Sequence, residues 1–160
     1  MNEGVSRTMT RSSDLVVPGW CPLESSGATS DAEHFEALTA AVFQARFRPE
    51  IVRARWPAIR GAFAHFELDL VARWPDAEQE RLLGAPGMIR SPKKVVATLR
   101  NARDLAERRA PFGSVRAYLD SFAPELEALV EELDSWAHYV GAPSLRWFLG
   151  CVGVPARWRG

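Results

Sequence analysis

The stretch with the most chemical content is Gly84-Ala85-Pro86-Gly87-Met88-Ile89-Arg90, followed by Ser91-Pro92-Lys93-Lys94. Two glycines bracket a short turn, and a serine with a following proline is a usual way to begin a helix. A glycine ends a preceding helix most easily in a left-handed conformation, which is the expectation for Gly84. Gly87 lets backbone approach a ligand closely. The amides of Gly87, Met88, Ile89 and Arg90 can then face outward beside a helix N-terminus, where the helix dipole favours an anion. Lys93 and Lys94 add positive charge at the same end. Such a device holds a backbone phosphate without reading sequence. A plain structural turn has the same pattern, so both readings stand on the residues alone.

Other residues carry weaker chemistry. Gln44 can hydrogen-bond a base edge but supplies no negative charge. His138 can move a proton, or simply cap the core. Tyr139 and Trp20 can stack on a flat ring, or fill the core. His34 and His65 have no partner at metal-ligand spacing, and they read as ordinary histidines. Cys21 and Cys151 lie 130 residues apart with no CxxC pair or Cys/His cluster, so neither a disulfide framework nor a zinc motif follows from spacing. Cys151 reads as inert packing in an apolar helix, and a reduced, cytoplasmic setting is expected.

The elements that position these residues all read as helix. Ser30 with Glu33 forms a capping box for a helix to about Arg46. Pro49 opens the next, and Pro57 is expected to interrupt it and restart the chain. Short helices follow over 68–74 and 76–83. The helix from Pro92 to about Arg109 buries Val95, Val96, Leu99, Ala102 and Leu105. Ser114 caps a helix to Phe122. Pro124 opens one with Leu126, Leu129, Val130, Leu133 and Trp136 on one face, and Pro143 opens the last, to about Val152. No stretch alternates as a strand does. The expected architecture is all-α, with a mostly irregular arm over 1–29, anchored by Val16, Val17 and Trp20, and a single domain over 30–160.

Composition bounds the function class. Net charge is zero, apolar residues make up 47%, and 160 residues suit one core. No apolar run of about 18 residues exists, so no membrane span is expected. The charge is unevenly spread: five arginines against Glu50 over 46–60, seven bases against Asp104 and Glu107 over 90–109, and five acids with no base over 125–134. A basic face on a neutral protein can still bind a polyanion, while solvated helix faces are the plainer reading.

From Phe35 to Arg103 the chain resembles the 3-methyladenine DNA glycosylase I family without a gap. The residues that carry it are Phe35-Glu36, Gln44-Ala45, Arg60, Ala62-Phe63, Phe66, Val71-Ala72, Glu80, Leu82, Gly87-Met88-Ile89-Arg90, Lys94, Ala97 and Asn101-Ala102-Arg103. A looser stretch covers Tyr139-Val140-Gly141, Phe148 and Gly153. The resemblance implies a helical DNA glycosylase fold with a helix-hairpin-helix. It also implies excision of an alkylated base flipped from double-stranded DNA, in base excision repair. A base pocket of Trp20, Gln44 and Tyr139 is then expected, with phosphate held by Gly84, Gly87, Met88, Ile89, Arg90, Lys93 and Lys94. The family's base-contacting Glu falls on Ala41 and a family Trp on Pro49. Gln44, His138 and Tyr139 are what is left as catalytic candidates. The family's structural zinc lacks its ligands here, and Trp158 stands where a His belongs, so no metal and no cofactor are expected. Wider relatives of this fold use a Lys in the hairpin or an Asp after it; the hairpin Gly84 to Arg90 holds no Lys and no acid follows Tyr139, so a lyase step is not expected. Loss of the pocket leaves a second reading, a non-catalytic DNA-binding protein. A third is a protein-interaction module using the acidic helix.

Overall fold

The computed structural model describes residues 18–23 and 27–159; Val16 and Val17 lie outside the described residues. Nine α-helices account for the described fold: α1 Asp31–Gln44, α2 Pro49–Ala62, α3 Leu68–Ala72, α4 Glu78–Leu83, α5 Pro92–Arg109, α6 Val115–Asp120, α7 Leu126–Trp136, α8 Ala142–Val152 and α9 Ala156–Arg159. No strand occurs among the described residues.

Helix α1 begins where its capping box stands. The Ser30 hydroxyl accepts from the Glu33 amide, and Glu33 accepts from the Ser30 amide at 3.1 Å. Every residue from His34 to Gln44 is buried. A helix buried on all sides lies at the centre of its domain, and α1 packs against α2, α3, α5, α6 and α8. An aromatic chain fills the space beside it. Trp20 meets Trp56 edge-on at 5.5 Å, Trp56 stacks on Phe66, Phe66 stacks on Phe63, and Phe63 meets Phe43. These offset and edge-on contacts add to the stabilisation from burial alone.

Helix α2 runs unbroken through Pro57, against the expected restart. Pro57 is on the exposed side, as are Arg53 and Ala54 before it. The carbonyl left without its usual N–H partner can therefore be hydrated, which removes much of the cost of an interior proline.

Helix α5 is the second spine. Ser91 accepts from the Lys94 amide at its N-terminus, and Pro92 occupies the first turn. Val95, Leu99, Ala102 and Leu105 are buried as the periodicity requires, and Val96 is half-buried. Lys94, Thr98 and Asn101 are buried as well.

The described part of the N-terminal segment lies on this bundle. Cys21 is joined to Cys151 of α8 by a disulfide, with Cα atoms 5.9 Å apart. This corrects the reading of Cys151 as inert packing. Next to it the Ala28 amide donates to the Val152 carbonyl at 3.0 Å. The chain end near α9 is tied back too: Arg157 and the Trp158 indole both donate to Asp120 of α6.

Candidate nucleic-acid interface

The hairpin joins α4 to α5. Gly84 closes α4 in right-handed geometry, φ −89°, so the left-handed stop expected there is absent. Gly87 carries the left-handed turn instead, with φ +83°. It is also pressed against α2: a Cβ at Gly87 would fall 2.6 Å from the Ala58 Cβ. Both the sign of φ and the contact demand glycine here.

The four hairpin amides are not equivalent. Met88 spends its amide on the Ala85 carbonyl at 3.1 Å, which corrects its expected place among the phosphate donors. Gly87, Ile89 and Arg90 have no amide partner among the described residues. The Met88 and Ile89 side chains are buried and root the turn in the core, while Gly87 and Arg90 are exposed. Three open donors on a rooted turn, one residue before the cap of an 18-residue helix, make an anion seat.

Lys93 and Lys94 part company. Lys93 is exposed and without a partner among the described residues. Lys94 is 5% exposed, donates to the Phe43 carbonyl at 2.7 Å and lies 4.5 Å from the centre of the Phe47 ring. Burial lowers its pKa to about 8. It therefore ties the last turn of α1 to the first turn of α5 and is no free surface cation, contrary to expectation. The carbonyl and the ring face both favour its charged form and oppose the lowering.

The basic stretches are likewise divided. Arg60 pairs with buried Glu36, Arg103 donates to the Trp74 carbonyl and pairs with Asp76, Arg108 lies over Trp136, and Arg109 bridges Asp31 and Asp69. Arg53, Arg90, Lys93 and Arg100 stay exposed and unpartnered among the described residues. Of these four, Arg90 and Lys93 stand at the hairpin, while Arg53 lies on α2 and Arg100 further along α5. The acidic helix α7 is partly spent too, with Glu127 paired to Arg146 and Glu132 accepting from the Tyr118 hydroxyl.

A cleft of about 690 Å³ opens between the hairpin and the start of α2, lined by Phe47, Ile51, Arg55, Met88, Ile89 and Lys94 among others. Its walls are apolar and its charges are all positive. It can take a flat ring or a phosphate, but it offers no carboxylate to a cationic base.

The remaining candidates fall in different places. Gln44 is buried and fully engaged: Oε1 accepts from the Gly19 and Trp20 amides at 3.0 and 3.1 Å, and Nε2 donates to the Trp20 and Ala40 carbonyls. It is a clamp on the 19–20 backbone, with no capacity left for a base. Trp20 packs edge-on against Trp56 under that clamp. His138 and Tyr139 lie on the far side of α5, away from this clamp. His138 Nε2 is 2.7 Å from Asp104, and Tyr139 is exposed with φ +66°.

Ala41, where the family resemblance puts a Glu, is fully buried. The one carboxylate buried nearby on α1 is Glu36, which accepts from Trp56 Nε1 at 2.8 Å and from Arg60. Its signal in the sequence was the Phe35-Glu36 pair followed by Trp56 and Arg60, whose four-residue spacing puts them on one face of α2. The zinc implied by the resemblance does not fit these residues. The two cysteines are consumed by their bridge, Trp158 is bonded to Asp120, and no three His, Cys, Asp or Glu side chains gather among the described residues.

The fold has counterparts among solved structures. The structure superposes on a crystal structure of 3-methyladenine DNA glycosylase I with a TM-score of 0.67 at 23% identity, over 79% of this chain and 81% of that one. Against the Staphylococcus aureus 3-methyladenine DNA glycosylase I, described for its recognition of 3-methyladenine, the TM-score is 0.70 at 18% identity, over 79% and 78% of the chains. At these identities the likeness establishes the all-α glycosylase fold. No curated protein sequence matches significantly. The methyladenine glycosylase family model matches residues 24–141, a span holding α1 to α7, the hairpin and the His138–Tyr139 loop. By that match the chain belongs to the methyladenine glycosylase family.

Proposed function

We propose that the protein is a DNA-3-methyladenine glycosylase: it excises alkylated bases of the 3-methyladenine type from duplex DNA by hydrolysis of the N-glycosidic bond. The observation that carries this reading is the hairpin, a rooted turn with open amides at Gly87, Ile89 and Arg90, in a chain of this family. A backbone phosphate seated there, with Lys93 and Arg90 adding attraction, would hold double-stranded DNA in one register without reading its sequence.

The chemistry asks little of the protein. A 3-methylated adenine is cationic and already a good leaving group. Drawing the nucleotide out of the stack and holding it against an apolar wall brings water to the sugar carbon. The Phe47–Ile51–Met88 cleft supplies such a wall. No carboxylate stands there to favour the cation, so turnover by this chain is slow for its family. Strand cleavage is not expected, because the turn Gly84 to Arg90 holds no Lys and no acid follows Tyr139. We place the protein with the DNA it acts on, in the cytoplasm; in that reducing setting the Cys21–Cys151 bridge is the unexpected feature.

The test is release of free bases from methylated duplex DNA, resolved by chromatography. The expected result is slow 3-methyladenine release with intact strands, lost in Gly87→Val. Release no faster than in protein-free DNA would overturn the enzymatic reading.

A further inference from the structure

The Cys21–Cys151 bridge joins the only two cysteines of the chain, and both are half-buried. A cleft of about 660 Å³ opens beside them, lined by the two cysteines with Leu23, Thr29, Gly150 and Arg116 among others. That volume lies within the roughly 300–1,000 Å³ usual for sites that take small ligands. The charged residues of its wall are Arg116 and Arg157, two cations that share the carboxylate of Asp120. The wall therefore does not repel an incoming thiolate. Gly150, one residue before Cys151 on α8, is exposed, and a Cβ built there has open space around it. The approach to the sulfur pair is open on that side.

Contacts other than the bridge hold the two cysteines together. Before Cys21, the Gln44 side chain grips the Gly19 and Trp20 backbone. After it, the Ala28 amide donates to the carbonyl of Val152, the residue that follows Cys151. Opening the bridge therefore leaves Cys21 anchored on both flanks and within reach of Cys151. Two thiols kept together in this way reclose far more readily than two that must find each other across a separation of 130 residues.

We propose that the Cys21–Cys151 bridge is a reversible redox site, opened by small thiols that enter this cleft and closed again within the folded chain. A thiolate attacks one sulfur, and the other leaves as a cysteine thiolate. A second thiolate then attacks the mixed disulfide, carries the small molecule away as its own disulfide and leaves the second cysteine reduced. Each cysteine takes up the proton that an attacking thiol gave up, so two small thiols are oxidised as one bridge is reduced. Closure is the reverse, with the small-molecule disulfide as oxidant. In the reducing setting proposed above, the bridge then follows the poise of the small thiols around it rather than standing against it.

The experiment equilibrates the intact chain with reduced and oxidised glutathione at a series of ratios. Samples are quenched in acid, alkylated and read by mass spectrometry, with circular dichroism on the same mixtures. The same proportion of bridged protein should be reached from either direction, with the helical signal kept throughout. The dithiol form should melt lower by about 10 °C, because its unfolded chain regains the freedom that the bridge removes. Cys21→Ser should take one glutathione on Cys151 without denaturant. Gly150→Leu suits a helix but fills the approach, and should slow opening by about tenfold at an unchanged equilibrium ratio. Gln44→Ala, which frees one flank of Cys21, should instead shift the equilibrium several-fold towards the dithiol. A bridge that opens only in urea, or a dithiol form without its helical signal, would make the bridge a fixed staple and overturn the proposal. Opening of Gly150→Leu at the wild-type rate, with no adduct on Cys21→Ser, would overturn the cleft as the way in. A dithiol that persists in excess oxidised glutathione would overturn the pairing itself.

Discussion

The C-terminal half of α1 and the hairpin before α5 lie side by side, and they treat their polar groups in opposite ways. On α1 the side chains of Gln44 and Glu36 and the Phe43 carbonyl are spent internally, while the buried His34 Nε2 has no partner among the described residues. Gln44 makes four hydrogen bonds to backbone, Glu36 takes Trp56 and Arg60, and Lys94 closes on the Phe43 carbonyl. At the hairpin, three amides and the nearby Arg90 and Lys93 are left open. Satisfied buried groups hold a fold together, whereas unsatisfied ones at a surface wait for a ligand. The contrast teaches that the hairpin keeps donors open to an anion, while Ala41 and Gln44, where base contact was expected, are packing.

The strongest way to break that contrast is Gly87→Val. It adds a branched side chain at φ +83° and against Ala58. DNA affinity should fall by tenfold or more in fluorescence anisotropy, with circular dichroism showing the helices retained. The pair Gly87→Ala and Ala58→Gly sharpens it, since together they relieve the contact but not the backbone strain; affinity recovering fully would assign the whole effect to the contact.

Gln44→Ala addresses the other side. It strands the Gly19 and Trp20 amides, each a loss of about 1–3 kcal/mol where water cannot replace the partner. The melting temperature should drop by several degrees while duplex affinity changes less than twofold. A large loss of affinity at unchanged stability would make Gln44 part of the interface after all.

The smallest effect is a pH dependence. Lys94 has its pKa lowered to about 8 in the fold against 10.5 ordinarily. Between those values the unfolded chain holds more proton than the folded one, so stability rises with pH. The penalty of the buried charge is full below about pH 8 and fades towards 10.5. The melting temperature of wild type relative to Lys94→Met should therefore rise from pH 7 to pH 10. A difference flat in pH would mean that the Phe43 carbonyl and Phe47 ring hold the charge at no cost.

Much of this was legible in the residues. Ser30 with Glu33, Ser91 with Pro92, and Ser114 mark helix starts by local hydrogen bonding, and the three stand as read. The left-handed turn was expected at Gly84 and stands at Gly87, which is also pressed against Ala58 of α2, a tertiary contact that no local pattern encodes. Pro57 misled because its side of α2 is exposed, where water can reach the carbonyl that the proline leaves unpaired. The fate of Lys94 was readable in principle. It shares a helical face with Thr98, Asn101 and Leu105, all buried, but charge was weighed over position. The Cys21–Cys151 bridge and the engagement of Gln44 by residues 19–20 depend on tertiary proximity across 130 and 24 residues, and no local pattern encodes either. Tyr139's display needs Asn101 to grip the backbone of the preceding His138 across 37 residues.

The central place of α1 also bears on how the chain is made. Among the described residues α1 is the first helix to leave the ribosome, yet one of its main packing partners is α8, which begins at Ala142. At about 5–20 residues per second, roughly 5–20 s pass between the two. For that time an apolar helix made to be covered on all sides is without part of its cover. Synthesis from the N-terminus thus leaves α1 dependent on chaperones or on provisional burial against α2 and α5 until α8 arrives to cover it.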